Sequence, residues 1–338
     1  MEDFEMYPDE TIAKAIKSFQ QKLMDEAKNT FNLLLHEQGT STVAPDAQYW
    51  IAEILLEQKK YAEAIHEYQK VKDLYSRSDV VDDAQHAIAI VHFLQGDYPK
   101  ARSEFKIVAD NLRSNLVDSA RFRVGECFRL QREFNSAILN YKKVNPKSAY
   151  GDDALYGLAT SAFQLRDYTE AARILNSLLQ SFPPSPLKPY ALYQLGLTYF
   201  HQEEYAKSVE VFERFETARA DSQLETAPSD EGLFWKARAL YELEDYGTTI
   251  KTCHQLIREF PSSSLRFRAE FFVAESTYWS EQTPEAHRLA RQKYQALLRK
   301  QSSGEWAEKC RYGIGWTHLS EAVASHGQIQ TKHYRNLT

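Results

Sequence analysis

Cysteine is scarce in this 338-residue chain. Cys127, Cys253 and Cys310 stand far apart and none belongs to a CxxC pair, so zinc ligation lacks its spacing and a disulfide framework its density. Cys127 and Cys253 fall at helix positions expected to pack inside as inert thiols. No run approaches about 18 apolar residues, so no membrane span is expected. The opening MEDFEMYPDE has no basic region followed by an apolar stretch, hence no secretory signal. With Met1 as the native start, the expected location is the cytoplasm; for a fragment of an exported protein it is the periplasm or cell envelope. Glycine and proline are few, 12 and 11, and are expected mostly between helices.

Basic patches are missing too. With 41 Lys+Arg against 47 Asp+Glu the net charge is −6, and Arg121, Arg123, Arg129 and Arg132 are interrupted by Glu126 and Glu133. The stretch Arg288 to Lys300 reads as the solvated face of an amphipathic helix. A nucleic-acid partner is therefore not expected. No HExxH, Gly-rich phosphate loop or GxSxG elbow occurs. His66, His254 and His287 lack a ligand partner at metal spacing, and His86 and His92 match one helical face poorly. Asp82-Asp83 and Asp152-Asp153 begin helices, where negative charge meets the positive dipole end. No enzyme activity, cofactor or metal is expected.

What the chain does contain is a period. An aromatic residue followed three positions later by a small one recurs as Tyr61/Ala64, Tyr98/Ala101, Phe134/Ala137, Tyr168/Ala171, Tyr205/Ser208 and Tyr246/Thr249, in steps of 37, 36, 34, 37 and 41 residues. A near-constant period of this length marks stacked helical hairpins. In DALYGLATSAFQLRDYTEAARILNSLLQSFP, residues 153–183, Leu155, Leu158, Ala159 and Ala162 line one face of a first helix. Tyr168, Ala171, Leu175 and Leu178 line a second, and Pro183 stops it. Ser or Asp at the start of the next unit is expected to cap its first helix. Small residues on the first helices (Ala52, Ala89, Gly125, Ala159, Gly196, Ala237) face those on the second, where antiparallel helices cross at about 8–10 Å.

This repeat resembles the tetratricopeptide repeat, with its small eighth and twentieth positions, aromatic seventeenth and late proline. The match runs over roughly residues 8–298. Two degenerate units extend the regular ones: Ala15, Ala27 and Phe31 near the start, and Ala274, Ala290, Tyr294 and Leu297 near the end with about four residues inserted within SEQTPEA. The resemblance implies an all-α, right-handed superhelix of antiparallel helix pairs, about eight repeats plus a C-terminal capping helix. The expected organisation is a degenerate repeat at 1–44, a regular array at 45–215 and a polar loop or soft hinge at 216–229. Longer repeats and the cap follow at 230–324, then a tail at 325–338.

The linkers Asn145-Pro146-Lys147-Ser148, Phe182-Pro183-Pro184-Ser185 and Phe260-Pro261-Ser262-Ser263 precede DDALYGLA, KPYALYQLG and FRAEFFVA. Their wording resembles the bacterial cell-envelope branch of the superfamily, including the Tol–Pal coordinator and the outer-membrane assembly lipoprotein. In the family, positions 2, 5, 9 and 12 of the first helix line the concave side. Here the fifth-position series is Tyr49, His86, Phe122, Tyr156, Tyr193 and Phe234, and the twelfth is Leu56, Phe93, Arg129, Phe163, Phe200 and Tyr241. The two lie on one helical face. They make an aromatic trough for a peptide or helix of another protein, with ring packing as the competing reading. Asp46, Glu53, Asp83, Glu126, Asp153 and Glu231 favour a basic and apolar partner. A carboxylate clamp is not expected, because its slots hold Tyr49, Glu53, His86 and Ile90. The leading function is an interaction scaffold; the alternative is a structural subunit of a homo-oligomer or machine using convex or terminal faces.

Overall fold

A computed structural model describes residues 8–222 and 228–326. Among them every element is a helix: α1 (Pro8–Gln20), α2 (Met24–Gln38), α3 (Ala44–Glu57), α4 (Tyr61–Leu74), α5 (Val81–Leu94), α6 (Tyr98–Asp110), α7 (Val117–Leu130), α8 (Phe134–Tyr141) and α9 (Gly151–Gln164). Then come α10 (Tyr168–Ser181), α11 (Lys188–His201), α12 (Tyr205–Ser222), α13 (Ser229–Glu242), α14 (Tyr246–Glu259), α15 (Arg266–Ser280), α16 (Pro284–Lys300) and α17 (Glu305–His326). In chain order these are eight first-and-second helix pairs followed by a single helix. Two compact units hold them, residues 1–165 with α1 to α9 and residues 166–338 with α10 to α17.

The turn inside every hairpin but α15–α16 is built one way. One residue takes a left-handed conformation: Lys22, Lys59, Gly96, Arg132, Arg166, Glu203 or Glu244, with φ between 59° and 77°. Only one of the seven is glycine, although that region strains any side chain. The next residues open the second helix, and Asp97, Asp167 and Asp245 accept from the amides of Lys100, Glu170 and Thr248.

The first helices start differently from expectation. Their N-cap positions hold Val80, Leu116, Tyr150, Leu187 and Leu265, and no side chain caps them. A serine two residues earlier instead accepts from the amide of that N-cap residue: Ser78, Ser114, Ser148, Ser185 and Ser263. The serine thus shapes the turn before the helix and leaves the first helical amides alone.

Glycine is also placed differently. Gly125, Gly157, Gly196, Gly232 and Gly313 lie inside helices, not between them. A Cβ at Gly125 or Gly157 would come 2.5–2.6 Å from the Tyr141 ring, at Gly196 2.8 Å from Phe212, and at Gly313 2.5 Å from Tyr294. The small residues therefore admit a ring from the second helix as well as a close crossing. The crossing itself is visible at Gly196, whose carbonyl accepts from the Ser208 hydroxyl at 2.9 Å. Ala52, Ala64, Ala89, Ala101 and Ala137 are fully buried.

The 216–229 segment is the third difference. Residues 216–222 continue α12, and Phe215 and Ala218 are buried on its inner face. Gly232 of α13 meets the Phe215 ring, and Lys236 bonds Glu216 at 3.3 Å, so these two helices are joined by packing. The compact units divide at Leu165 and Arg166, away from the segment the sequence marks as a hinge. Residues 223–227 and the tail beyond 326 lie outside the described residues. The turn at 281–283 is no longer than the others, and the extra residues expected there lengthen α16 instead; the turn differs in conformation, with Glu281 and Thr283 extended and Thr283 capping α16.

Candidate functional site

Four of the six fifth-position rings sit on rings of the second helix. Tyr49 lies 5.4 Å from Tyr68, His86 5.1 Å from Phe105, Phe122 6.0 Å from Tyr141, and Tyr193 6.2 Å from Phe212. Phe271, one repeat further on, lies 5.9 Å from Tyr294. The twelfth-position rings sit on the aromatic that opens the second helix: Phe93 on Tyr98 at 5.5 Å, Phe200 on Tyr205 at 5.4 Å, and Tyr241 on Tyr246 at 5.7 Å. Tilted and edge-on pairs at these separations are favourable beyond their area alone. Packing therefore fixes one side of these rings.

Their other side varies. Tyr49, Phe93, Phe122, Tyr156, Phe163, Tyr193 and Phe200 are half-buried. Phe234 and Tyr241 are only 4% and 8% exposed and belong to the apolar core of the second unit, beside Phe272. Phe122 is also stacked on Tyr150 at 5.7 Å, and the Arg123 guanidinium lies 5.7 Å from both the Phe93 and Phe122 rings. In the other unit Phe200 contacts Trp235 at 5.0 Å with Arg238 5.2 Å above its ring, while Tyr193 donates to Glu231 at 2.9 Å.

The acidic positions are less available than the sequence implies. Glu53 accepts from Tyr68 at 2.5 Å, Glu126 from Tyr141 and, at 2.7–2.8 Å, from both arms of Arg129, and Glu231 from Tyr193. Asp46 and Asp83 lie in an acidic cluster: burial first, then the neighbouring Asp79 for Asp46 and Asp82 for Asp83, raises both pKa values. Asp153 is raised by burial and by Asp152. All three cysteines are buried, and burial pushes each thiol up to about 12. They are therefore thiols, not thiolates, at neutral pH.

One feature of the second unit escaped the sequence reading. Between α13, α15 and α17 lies a cavity of about 270 Å³ whose lining includes Arg238, Tyr241, Arg268, Glu275, Trp306 and Lys309. Glu275 at its wall is 3% exposed and accepts from the Tyr241 and Tyr294 hydroxyls. Glu275 follows the small eighth-position Ala274, so the repeat register could have found it. Trp306 and Lys309 come from the capping helix, where no second repeat offers a register.

Stacked hairpins with this slot pattern define a helical-repeat protein. Models of the tetratricopeptide repeat match residues 44–114, 156–225 and 231–263, together about half of the chain. The chain belongs to the tetratricopeptide-repeat family. This fold generally serves protein–protein interaction and is typically non-catalytic. No curated protein matches the sequence. Among solved structures, the chain is similar to the C-terminal part of a TPR repeat-containing protein from Cytophaga hutchinsonii, at 16% identity and a TM-score of 0.59, covering 79% of this chain and 99% of that one. It is also similar to a tetratricopeptide repeat protein from Parabacteroides merdae, at 14% identity and a TM-score of 0.50, covering 80% and 98%. A third is pilF of Pseudomonas aeruginosa, at 17% identity and a TM-score of 0.51, covering 67% and 97%. At such identities the likeness establishes the all-α repeat fold alone. Among the described residues no helix is long and apolar enough to cross a membrane, and no three His, Cys, Asp or Glu side chains gather as a metal site.

Proposed function

We propose that this chain is a non-enzymatic scaffold that binds a segment of another protein, peptide or helix, along the ring-bearing face of its first helices. The observation that carries this reading is the half-exposure of Tyr49, Phe93, Phe122, Tyr156, Phe163, Tyr193 and Phe200. For five of them, Tyr49, Phe93, Phe122, Tyr193 and Phe200, the inner edge is already held by a ring of the second helix. A pre-positioned aromatic loses little entropy on contact and is the side chain that most often dominates binding energy. A basic and apolar segment suits the first unit, where Asp46, Asp79, Asp82 and Asp83 repel one another and a basic group would relieve that repulsion. The linker wording supports a bacterial, envelope-associated assembly.

The test is affinity capture from lysate and envelope fractions of the source organism, read by mass spectrometry, with wild type beside Tyr156→Ala/Phe163→Ala/Tyr193→Ala/Phe200→Ala. A partner lost by a still-helical variant supports the groove. A partner kept equally by both contradicts it.

A second reading rests on a separate observation. Leu74, Ile107, Leu112 and Leu139 are 67%, 56%, 76% and 63% exposed on or just after the second helices of the first unit. Apolar side chains this exposed suit a structural subunit that meets other copies or a larger machine. A mass that rises with concentration in light scattering and falls in Ile107→Glu/Leu139→Glu supports it; a constant monomer mass removes the homo-oligomer.

A further inference from the structure

We propose that the cavity between α13, α15 and α17 receives an acidic side chain, aspartate or glutamate, of the partner segment, with an adjoining apolar residue on the Trp306 ring. The inference rests on the groove reading above and adds to it the chemistry of one subsite in the second unit.

The cavity holds about 270 Å³, room for one side chain and part of its neighbour. Its lining brings three cations, Arg238, Arg268 and Lys309, against three carboxylates, Glu242, Glu275 and Glu305. The Arg238 Nε is buried and has no hydrogen-bond acceptor, and its guanidinium reaches Glu242 only at 3.7 Å. Three rings surround that guanidinium at 5.2–5.6 Å: Phe200, Trp235 and Phe272. They fix its plane but offer it no anion. Arg268 lies exposed with its guanidinium 5.4 Å from the Trp306 ring, and no carboxylate among the described residues pairs with it. Lys309 stands 4.6 Å over the same ring, and its partner Glu305 is 73% exposed, so that pair is a weak, solvent-screened one.

The carboxylate in the wall does not fill the vacancy. Both oxygens of Glu275 are already taken, one by Tyr241 and one by Tyr294. Burial raises its pKa, outweighing the hydrogen bonds from Tyr294, Tyr241 and Trp279, and so weakens its repulsion of an arriving acid. What remains is a ring-held guanidinium whose Nε lacks an acceptor and whose outer arm has only the distant Glu242, flanked by the unpaired Arg268 guanidinium and an ammonium beside an indole. Guanidinium groups match carboxylates in pairs of parallel hydrogen bonds, and the ring provides the apolar contact next to them.

The experiment uses the full chain on an array of immobilised Gly-Ser peptides carrying a central Leu-Glu-Phe, Leu-Gln-Phe, Leu-Lys-Phe or Leu-phosphoserine-Phe. The expected result is retention on the glutamate peptide about tenfold above the glutamine one, with none on the lysine peptide. That preference should disappear in Arg268→Glu/Lys309→Glu and persist in Arg258→Glu, a charge reversal at a 75% exposed site on α14. Circular dichroism checks that each variant remains helical. Equal retention of Glu and Gln, a lysine preference, retention of phosphoserine alone, no retention at all, or a glutamate preference that survives the double variant would each overturn the proposal. A partner captured by wild type and still captured by Arg268→Glu/Lys309→Glu leaves the groove reading standing and removes this subsite alone.

Discussion

Glu126 and Glu275 occupy the same slot of their repeats, one residue after the small eighth position, and both accept from a tyrosine of the paired second helix. Their surroundings drive them in opposite directions. At Glu126 burial pushes the pKa up, but hydrogen bonds from Arg129 and Tyr141 and the charges of Arg129 and Arg123 outweigh it, and the net shift is down. At Glu275, 3% exposed with tyrosines as its main partners, burial wins and the shift is up. Two other repeats fill the slot with an aliphatic residue, Ile90 and Leu197, and carry Phe105 and Phe212 at the separation of 15 that joins Glu53 to Tyr68 and Glu126 to Tyr141, while Thr160 and Arg238 fill it with Leu175 and Cys253 at that separation. Wherever the slot holds a carboxylate, a tyrosine hydroxyl of the paired helix answers it. A guanidinium within reach decides whether the polar version stabilises at neutral pH.

The sharpest way to break the comparison is to remove the ring. Tyr141→Ala and Tyr294→Ala should each cost about 3–5 kcal/mol in urea unfolding, the second more because Glu275 stays buried with one donor fewer. Equal and small losses would mean the rings are not core residues.

Next comes the carboxylate itself. Glu126→Gln should cost about 1.5–3 kcal/mol at neutral pH. A lowered folded pKa gives stability that is present above the unfolded value of about 4.5 and is lost as pH falls through the folded pKa, so the cost should shrink in acid. Glu275→Gln should behave in the reverse sense. A raised folded pKa means the native state keeps a proton that the unfolded chain releases above about 4.5, so wild type loses stability as pH rises and the variant gains on it. Unfolding midpoints at a series of pH values check both; parallel lines for the two variants would refute the distinction.

Gly125→Ala and Gly157→Ala test the other side of Tyr141. Each Cβ would collide with that ring, and the expected loss is about 1–3 kcal/mol, partly recovered when Tyr141→Leu is added. No recovery in the double variants would show that the ring is not the obstacle.

The smallest effect concerns the hairpin turns. Gly96→Ala should cost about 1 kcal/mol from backbone strain alone, since nothing lies within 4 Å of the new Cβ, and Arg132→Gly should gain a similar amount, both read as shifts in melting temperature.

Much of this architecture was legible in the sequence because the aromatic-and-small period is a packing requirement repeated at each crossing. Tyr98 with Ala101 and Tyr246 with Thr249 identify their hairpins unaided. Gly125 misled in part: it reads as a helix crossing, yet a ring from the neighbouring helix also requires its smallness, which no local motif announces. The α12 extension was hidden because ETARADS is polar, yet only Phe215 and Ala218 need face inward to keep it helical. Of the candidate site, the fifth- and twelfth-position series could be read from register, but not that Phe234 and Tyr241 would be covered. The cation–indole cavity needed three helices, α13, α15 and α17, to come together, and spacing along the chain carries no trace of it.

The account stands on the claim that the half-exposed rings bind and do not merely pack. Calorimetric titration of the captured partner segment into wild type, Tyr193→Ala and Phe200→Ala, beside their melting curves, tests it most directly. The account predicts affinity reduced about tenfold or more per ring with modest loss of stability. Affinity unchanged while stability falls by several kcal/mol would contradict it and assign these rings to the core.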